Sequence, residues 1–206
     1  TVTLTKMMYA GENTMVVEDA LSRINSIIER KPLEQTADKK HPADTSITFE
    51  NVSFRYPGAV NDALHDVSLK INAGEQVAFV GPSGGGKTTL ARLIARFADV
   101  TEGNILIGGV NVKNIDEKEL MDTVSFVFQD SHLLKMSILD NVRMGNKNAT
   151  RQEVMEALKN AQCDDIIEKL PDGIDTVIGS KGTYLSGGEA QRIAIARAML
   201  KNSPML

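Results

Sequence analysis

Residues 81–88 constrain this chain more than any other stretch, because their glycines, lysine and threonine fit very few backbone arrangements. They read Gly81-Pro82-Ser83-Gly84-Gly85-Gly86-Lys87-Thr88, which matches the pattern G-x-x-x-x-G-K-S/T. Glycines reach backbone conformations that a Cβ forbids, so consecutive N–H groups can turn inward and hold an anion. In this pattern the lysine reaches the outer phosphates of a nucleotide, and the hydroxyl that follows can bind Mg²⁺. We call residues 81–88 the phosphate loop.

The residues on either side favour this interpretation over a glycine-rich turn that matches by chance. Residues 76–80 are a short apolar run typical of a buried strand. Residues 89–97 place their apolar side chains on one face of a predicted helix, namely Leu90, Leu93, Ile94 and Phe97. Strand, loop and helix follow in the order that the pattern requires. The helix start also adds its positive end to the site.

Composition and charge bound the class of protein. The chain has 206 residues, 42% of them apolar and 24% charged, which is ordinary for a globular domain. A net charge of −4 gives no reason to expect a nucleic-acid partner. The single cysteine, Cys163, excludes an internal disulfide and agrees with a reducing compartment. No apolar run is long enough to cross a membrane. Because the chain begins at Thr1 without a recognisable signal peptide, we expect it to be part of a longer protein.

Three segments are predicted along the chain. Residues 14–31 have the apolar spacing of an amphipathic helix that ends at Pro32. Residues 32–44 have linker composition, and a domain is predicted from residue 45 to residue 206. A lone helix on a linker has too little core to be stable, so we expect it to pack on something outside this chain.

Strands are predicted before and after the phosphate loop. The alternation in residues 47–54 slips at Glu50-Asn51, which indicates a bulge. Further strands are predicted at 67–71, at 105–107 and 110–112, and at 124–128. Gly108-Gly109 joins the second and third of these as a hairpin.

The residues after Gln129 are predicted to be mostly helical. Ser137 is expected to cap a short helix that runs through Val142, and Thr150 with Glu153 forms a capping box for the next helix. A phosphate-loop core, an antiparallel hairpin region and a helical insert together indicate an α/β layered domain.

A second constellation lies near the end of the chain. Residues 185–189, which we call the signature segment, read Leu-Ser-Gly-Gly-Glu and precede an apolar run. Ser186 and Glu189 have capping-box spacing, so a capped helix with glycines at its entry is one explanation. The other is a second anion-binding helix start, since paired glycines expose backbone N–H groups there.

Together, Tyr56, the phosphate loop, Gln129 and the signature segment, in this order, resemble the nucleotide-binding domain of ATP-binding cassette (ABC) transporters. The resemblance runs from about residue 45 to residue 206, and residues 54–57 and 137–142 look like the exporter branch. It implies a P-loop NTPase core with an antiparallel β subdomain and a helical subdomain. In exporters this domain follows the transmembrane helices in the same chain, so residues 1–31 would be the cytoplasmic end of the last one.

The resemblance also implies roles for individual residues. Tyr56 matches the aromatic residue that stacks on adenine. The Walker A residues that would hold the phosphates of ATP are Gly81, Pro82, Ser83, Gly84, Gly85, Gly86, Lys87, Thr88 and Thr89. Thr88 and Gln129 would bind Mg²⁺, and Lys87 and Gln129 would take part in hydrolysis.

The signature segment is implied to act on a partner. Ser186, Gly187 and Gly188 would contact the γ-phosphate of ATP that a second nucleotide-binding domain holds, in a homodimer or a heterodimer. Two ATP molecules would then lie between two head-to-tail domains at the cytoplasmic face of the membrane.

Two of the chain's departures from the family pattern bear on its function. Ser180 stands where exporters usually have a glutamate, which puts in doubt a contact to the transmembrane part. Family members continue beyond Leu206 into the Walker B strand, with an aspartate for Mg²⁺, a glutamate that polarises water and a later histidine. His41, His65 and His132 do not fit that histidine. We therefore expect the 206-residue chain to be an incomplete domain that binds nucleotide weakly and does not hydrolyse it appreciably.

Two other functions remain open from the residues alone. One is a soluble ABC-class ATPase that acts on nucleic acid or ribosomes, and the other is a nucleotide-gated dimerisation module without turnover. The helix at 14–31 with its linker favours the transporter, because it suits a fused transmembrane domain.

Overall fold

The computed structural model describes residues 15–25, 27–29, 32–179 and 184–206, and the chain divides into one unit up to Gln35 and another over Thr36–Leu206. In the first unit, residues 15–25 and 27–28 are helical, which confirms the predicted helix over those residues. Residues 14, 26, 30 and 31 of that prediction lie outside the described residues. The apolar side chains of this helix are exposed, for example Leu21 and Ile24. None of the helices in the described ranges is both long and apolar enough to cross a membrane.

The second unit contains a four-stranded antiparallel sheet. Its strands are β1 (Ile47–Phe54), β2 (Leu64–Ile71), β3 (Glu102–Ile107) and β4 (Val110–Asn111), in the spatial order β2-β1-β3-β4. The pairing of β1 with β2 shifts register between Phe49 and Val52, and Asn51 takes a φ of 49°. The predicted bulge is therefore confirmed. It bends β1 while Phe49 and Val52 both remain buried in the core.

The hairpin between β3 and β4 also forms as predicted. Gly108 and Gly109 have φ values of 54° and 78°, the two positive values that a tight hairpin turn of this kind needs. Strand β4 ends one residue earlier than predicted, at Asn111, because the Asn111 side chain accepts a hydrogen bond from the Lys113 N–H. That bond starts a 3₁₀ turn over Val112–Asn114.

The described part of the second unit also contains six α-helices: α1 (Lys87–Ile94), α2 (Glu117–Thr123), α3 (Ile138–Arg143), α4 (Arg151–Asn160), α5 (Asp164–Ile167) and α6 (Gly187–Lys201). The predicted caps are confirmed. The Ser137 Oγ accepts from the Asp140 N–H at 3.0 Å, and the capping box of Thr150 with Glu153 is complete.

Two apolar clusters form the core of this unit. One packs the sheet against α1 and α2, with Phe49, Leu93 and Ile105 almost fully buried. The other joins α3, α4, α5 and α6, with Val154 and Ile193 fully buried. The antiparallel sheet and the helical part therefore each have an apolar core of their own.

The predicted strands at residues 76–80 and 124–128 are wrong for this structure. Residues 76–80 are not in a strand, and Val80 is 93% exposed. Residues 124–128 make a single parallel bridge, from Val124 to Met205, supported by the Ser125 N–H donating to the Met205 carbonyl at 2.8 Å. A strand needs a neighbouring backbone for its hydrogen bonds, and no described strand is hydrogen-bonded to residues 76–80.

The end of the predicted linker is hydrogen-bonded to the second unit. The Lys40 N–H donates to the Asn114 carbonyl at 2.8 Å, and the Ala43 N–H donates to the Gly108 carbonyl at 3.1 Å. The His41 Nδ1 lies 2.8 Å from a Glu119 carboxylate oxygen. The predicted domain boundary at residue 45 stays a prediction, but residues 40–43 already lie against β3, β4 and α2.

A buried asparagine ties α3 to its surroundings. Asn141 is fully buried, its amide donates to the carbonyls of Leu134 and Ser137, each at 3.0 Å, and its Oδ1 accepts from the Leu134 N–H at 2.9 Å. Arg197 of α6 donates from Nη2 to the Asn141 Oδ1 at 3.2 Å and from Nε to its backbone carbonyl at 2.8 Å. Asn141 therefore holds the loop before α3 in place and also binds Arg197 of α6.

We expect Asn141→Ala to lower the free energy of unfolding by about 3 kcal/mol, because it leaves several buried polar groups without partners. Asn141→Leu fills most of the volume but restores no hydrogen bond, so it should cost a similar amount. Chemical unfolding monitored by circular dichroism measures both. Asn160→Ala, at an exposed position of α4, is the control and should change stability by less than about 1 kcal/mol. A fully stable Asn141→Leu variant would contradict the role of the hydrogen bonds.

Candidate functional site

Lys87 lies at the centre of the candidate site. Its Nζ donates to the carbonyls of Gly81, at 2.9 Å, and of Pro82, at 2.7 Å. The ammonium therefore folds back over the loop that it follows. No carboxylate among the described residues lies within ion-pair distance of it. Its positive charge is solvated by neutral carbonyls and remains available to an anion.

The glycines of the phosphate loop are required by its shape at two positions. Gly84 and Gly86 have φ values of 81° and 78°, which side chains with a Cβ rarely adopt. At Gly86 a Cβ would also lie 2.6 Å from the Ala63 carbonyl oxygen and 2.6 Å from Leu64 Cδ2. The end of the loop can therefore press against the start of β2 only because residue 86 lacks a side chain.

The start of α1 adds a second source of positive potential. Gly86 is its N-cap, which provides no side-chain acceptor, and its first turn contains no acidic residue. The free N–H groups and the helix dipole are thus not neutralised by the helix itself. Thr88 is exposed in this first turn, whereas Thr89 is buried. The Thr88 hydroxyl is therefore accessible from solvent, and its predicted role at Mg²⁺ stays a prediction.

Tyr56 lies beside α1, close to the phosphate loop. Its hydroxyl is 3.1 Å from the Thr89 Oγ1, and its ring packs edge-on against Phe54 with 4.8 Å between the centroids. The loop that carries Tyr56 is held by the Arg55 Nε, which donates to Asp62 at 2.8 Å, and this hydrogen bond lowers the pKa of Asp62. The structure therefore brings Tyr56 and Thr89 together, two of the residues predicted to bind nucleotide.

A cavity of about 290 Å³ opens next to Tyr56. Its walls are mainly aromatic and aliphatic, formed by Phe54, Tyr56, Thr89, Arg92, Leu93, Phe97, Ala98 and Phe128. A flat, apolar base can stack against such a wall. The Lys87 ammonium is not part of this lining, so the cavity and the phosphate loop are adjacent features connected through Thr89.

Gln129 follows a group of packed aromatic residues, but no described residue holds its own side chain in the candidate site. The residues before it pack on the end of α1, with the Phe97 ring centroid 5.4 Å from that of Phe126 and 5.7 Å from that of Phe128. Gln129 itself is exposed. Within the described residues, no hydrogen bond joins its side chain to Lys87 or Thr88. Its predicted role at Mg²⁺ and the attacking water stays a prediction.

The signature segment forms the start of α6. The Ser186 Oγ donates to a Glu189 carboxylate oxygen at 2.8 Å, and the Glu189 N–H donates back to the Ser186 Oγ at 3.3 Å, which confirms the predicted capping box. Gly187 and Gly188 are exposed, with open space where a Cβ would lie. Across the described ranges, no hydrogen bond joins Ser186, Gly187 or Gly188 to the phosphate loop. Ser180 lies outside the described residues.

The residues present fit a metal held mainly by a bound nucleotide. In the part of the chain that the structure describes, no group of three His, Cys, Asp or Glu side chains is close enough to hold a metal ion. Mg²⁺ keeps several waters and is usually held by one or two protein groups plus substrate phosphates. The exposed hydroxyl of Thr88 beside Lys87 suits that mode of binding.

Sequence reasoning missed three features of the site. The first is the contact of Tyr56 with Thr89, and the second is the stacking of Phe97 on Phe128; both join residues far apart in the chain. The third is the pairing of Asn141 with Arg197. A signal existed for this one, since Asn141 lies on the buried face of α3 between Ile138 and Val142. Burial lowers the pKa of Arg197, which is held by oxygens of Asn141.

Comparison with known proteins agrees with this geometry. The sequence model of the family described as ABC transporter matches residues 64–206. The ATP-dependent lipid A-core flippase of Methylobacillus flagellatus is 46% identical over 165 residues, which is 80% of this chain and 28% of that protein. The beta-(1→2)glucan export ATP-binding/permease protein of Brucella suis is 41% identical over 181 residues, which is 84% of this chain and 30% of that protein.

A solved structure gives the same result. The structure of a bacterial Atm1-family ABC exporter with ATP bound superimposes with a TM-score of 0.80 at 39% identity, covering 92% of this chain and 33% of that one. The predicted fold class, a P-loop NTPase domain with antiparallel and helical subdomains, is thereby confirmed. The chain spans about a third or less of the length of each of these relatives. It belongs to the ABC transporter family and is similar to the nucleotide-binding domains of its exporters.

Proposed function

We propose that this chain binds ATP with Mg²⁺ through residues 81–89 and, in the complete protein, hydrolyses ATP to drive export across a membrane. One observation carries the proposal: the Lys87 ammonium, which among the described residues is bound only by the carbonyls of Gly81 and Pro82, lies over a glycine loop at the uncapped start of α1. That arrangement concentrates positive charge where the triphosphate of a nucleotide would lie. ATP binding is also what membership of the ABC transporter family implies.

Each predicted residue has a task in this proposal. Lys87 exchanges its two carbonyl partners for the outer phosphates, and the N–H groups of the loop and of α1 bind the remaining phosphate oxygens. Thr88 supplies a hydroxyl ligand for Mg²⁺, which neutralises the charge that develops on the transferred phosphoryl group. Tyr56 stacks on the base from its place beside Thr89, and Gln129 positions the attacking water.

A second copy of the domain, or a related one, completes each site in the proposal. Ser186, Gly187 and Gly188 are exposed at the start of α6 and make no hydrogen bond to the phosphate loop among the described residues. These exposed donors suit an anion presented by another molecule. Bound ATP would then hold the two domains together, and hydrolysis would release them.

The membrane part of the proposal rests on the relatives. By name, the Brucella suis protein is an export ATP-binding/permease protein, the Methylobacillus flagellatus protein is an ATP-dependent flippase, and the Atm1-family protein is an ABC exporter. We infer that this chain also works with a transmembrane domain of the same polypeptide, at the cytoplasmic face of the membrane. These relatives favour an exporter over an ATPase that acts on nucleic acid or ribosomes.

Lys87→Ala should reduce ATP hydrolysis by the complete protein at least about 100-fold, because a preorganised charge on the phosphates is lost. Phosphate release measured under saturating ATP is the test. Lys147→Ala, which removes an exposed lysine before α4, is the matched control and should keep full activity. Activity retained by Lys87→Ala would refute the assignment of the site. The expectation that residues 1–206 alone hydrolyse ATP poorly stays a prediction for the same assay.

Tyr56→Ala should weaken ATP binding about 10-fold, since a base stacked on an aromatic ring contributes about 1–3 kcal/mol. Tyr56→Phe keeps the ring and removes only the hydroxyl that contacts Thr89, so it should bind nearly as well as the wild type. Equilibrium titration with a fluorescent ATP analogue distinguishes the two variants. Equal losses in both would assign the effect to the hydroxyl contact and not to stacking.

Two defective copies should complement each other if the site is shared. An assembly with Lys87→Ala in one domain and Gly188→Asp in the other keeps one intact composite site, formed by the unaltered phosphate loop and the unaltered signature segment. An assembly with both changes in the same domain keeps none, because each site then contains one defect. We expect phosphate release only from the first assembly, and equal rates from the two would rule out sites shared between domains.

A further inference from the structure

The hydroxyl of Ser186 is already engaged in this structure. It donates to the Glu189 Oε2 at 2.8 Å, and the Ser186 N–H donates to the same oxygen at 2.8 Å. A serine hydroxyl has a single proton to donate. The group that is proposed to bind a nucleotide phosphate must therefore give up its carboxylate partner before it can do so.

Two cations lie near the carboxylate of Glu189. The hydrogen bonds from the backbone and side chain of Ser186 lower the pKa of Glu189, so the carboxylate is ionised at neutral pH. Lys169 and Arg192 lower this pKa further, and both also pair with Asp165, at 3.8 Å and 2.7 Å. Glu189 therefore shares these two cations with Asp165, and neutralising Glu189 would make the start of α6 less negative by one charge.

From this arrangement we propose that Glu189 is a built-in competitor of the nucleotide: its carboxylate holds the Ser186 hydroxyl in the open state and weakens ATP-dependent closure of the two domains. The inference rests on the proposed function, since it needs a phosphate to reach Ser186. An arriving γ-phosphate must replace the Glu189 carboxylate as the hydrogen-bond acceptor of the Ser186 hydroxyl. It must then lie close to that carboxylate. Both effects oppose closure, the first through an exchanged hydrogen bond and the second through repulsion between like charges.

The chain contains a matched control for this idea. Thr150 and Glu153 form the same capping box at the start of α4, with the Thr150 Oγ1 donating to the Glu153 Oε2 at 2.8 Å. Hydrogen bonds from Thr150 lower the pKa of Glu153 in the same way. In the described part of the chain, none of the residues predicted to bind nucleotide is hydrogen-bonded to this second box. Any loss due only to helix capping should therefore be equal at the two positions.

The test compares Glu189→Gln with Glu153→Gln in the complete protein. Glutamine keeps an acceptor oxygen for the capping box, removes the charge and replaces the other carboxylate oxygen with an amide NH₂ group. Half-saturating concentrations are measured with Mg²⁺ for AMP-PNP, a non-hydrolysable ATP analogue, and for ADP, which lacks the γ-phosphate. Closure is followed in parallel by spin labels on Lys147→Cys, an exposed position, since the native Cys163 is fully buried.

We expect Glu189→Gln to lower the AMP-PNP concentration needed for half-maximal closure about fivefold and to leave ADP binding unchanged. Glu153→Gln should change neither value. The inference is overturned if Glu189→Gln closes at the wild-type AMP-PNP concentration or shifts ADP and AMP-PNP equally. A wild-type protein that never closes with AMP-PNP would instead overturn the proposed function, and the inference with it.

Discussion

Three basic side chains of α6 anchor the helix to three other parts of the domain. Arg192 donates to Asp165 of α5, Arg197 donates to oxygens of Asn141 in α3, and Lys201 donates to the carbonyls of Met121 and Val124 at the end of α2. Two of these contacts end on neutral oxygens, so they fix position more than they add charge attraction. Because the signature segment is the first turn of the same helix, these contacts also set where Ser186 lies. Helix α6 therefore fixes the positions of α5, α3 and the end of α2 relative to one another.

The phosphate loop and the signature segment pack on different apolar clusters. The phosphate loop rests on the sheet through Gly86, which packs against Ala63 and Leu64, and α1 is buried through Leu93. The signature segment rests on the helical cluster through Ile193 and Ala196. Each motif has its own apolar support, and no hydrogen bond links the two in the described residues. This separation supports the proposal that the two motifs act at a site shared between two copies of the domain.

Sequence patterns succeeded wherever the determining interaction is local. The capping boxes at Thr150 and Ser186 need residues three apart, the glycine hairpin needs two residues, and the bulge at Asn51 needs only a slip in alternation. The strand predictions at residues 76–80 and 124–128 failed because a strand is defined by a neighbour, and an apolar run does not say which backbone lies beside it. The side-chain partners of Tyr56 and Asn141 were not predicted for a similar reason, since Thr89 and Arg197 are distant from them in the chain.

The sequence by itself determined the family, the order of the motifs and the residues that form the phosphate loop, because steric and electrostatic demands at consecutive positions leave few alternatives to glycine, lysine and threonine. Tertiary structure alone decided how those residues are held. It brought the Lys87 ammonium within hydrogen-bonding distance of two loop carbonyls and the hydroxyl of Tyr56 beside Thr89. It also paired Arg197 with the buried Asn141. Hydrogen bonds of this kind depend on distances of about 3 Å and on burial, and residues far apart in sequence reach such distances only after the chain has folded.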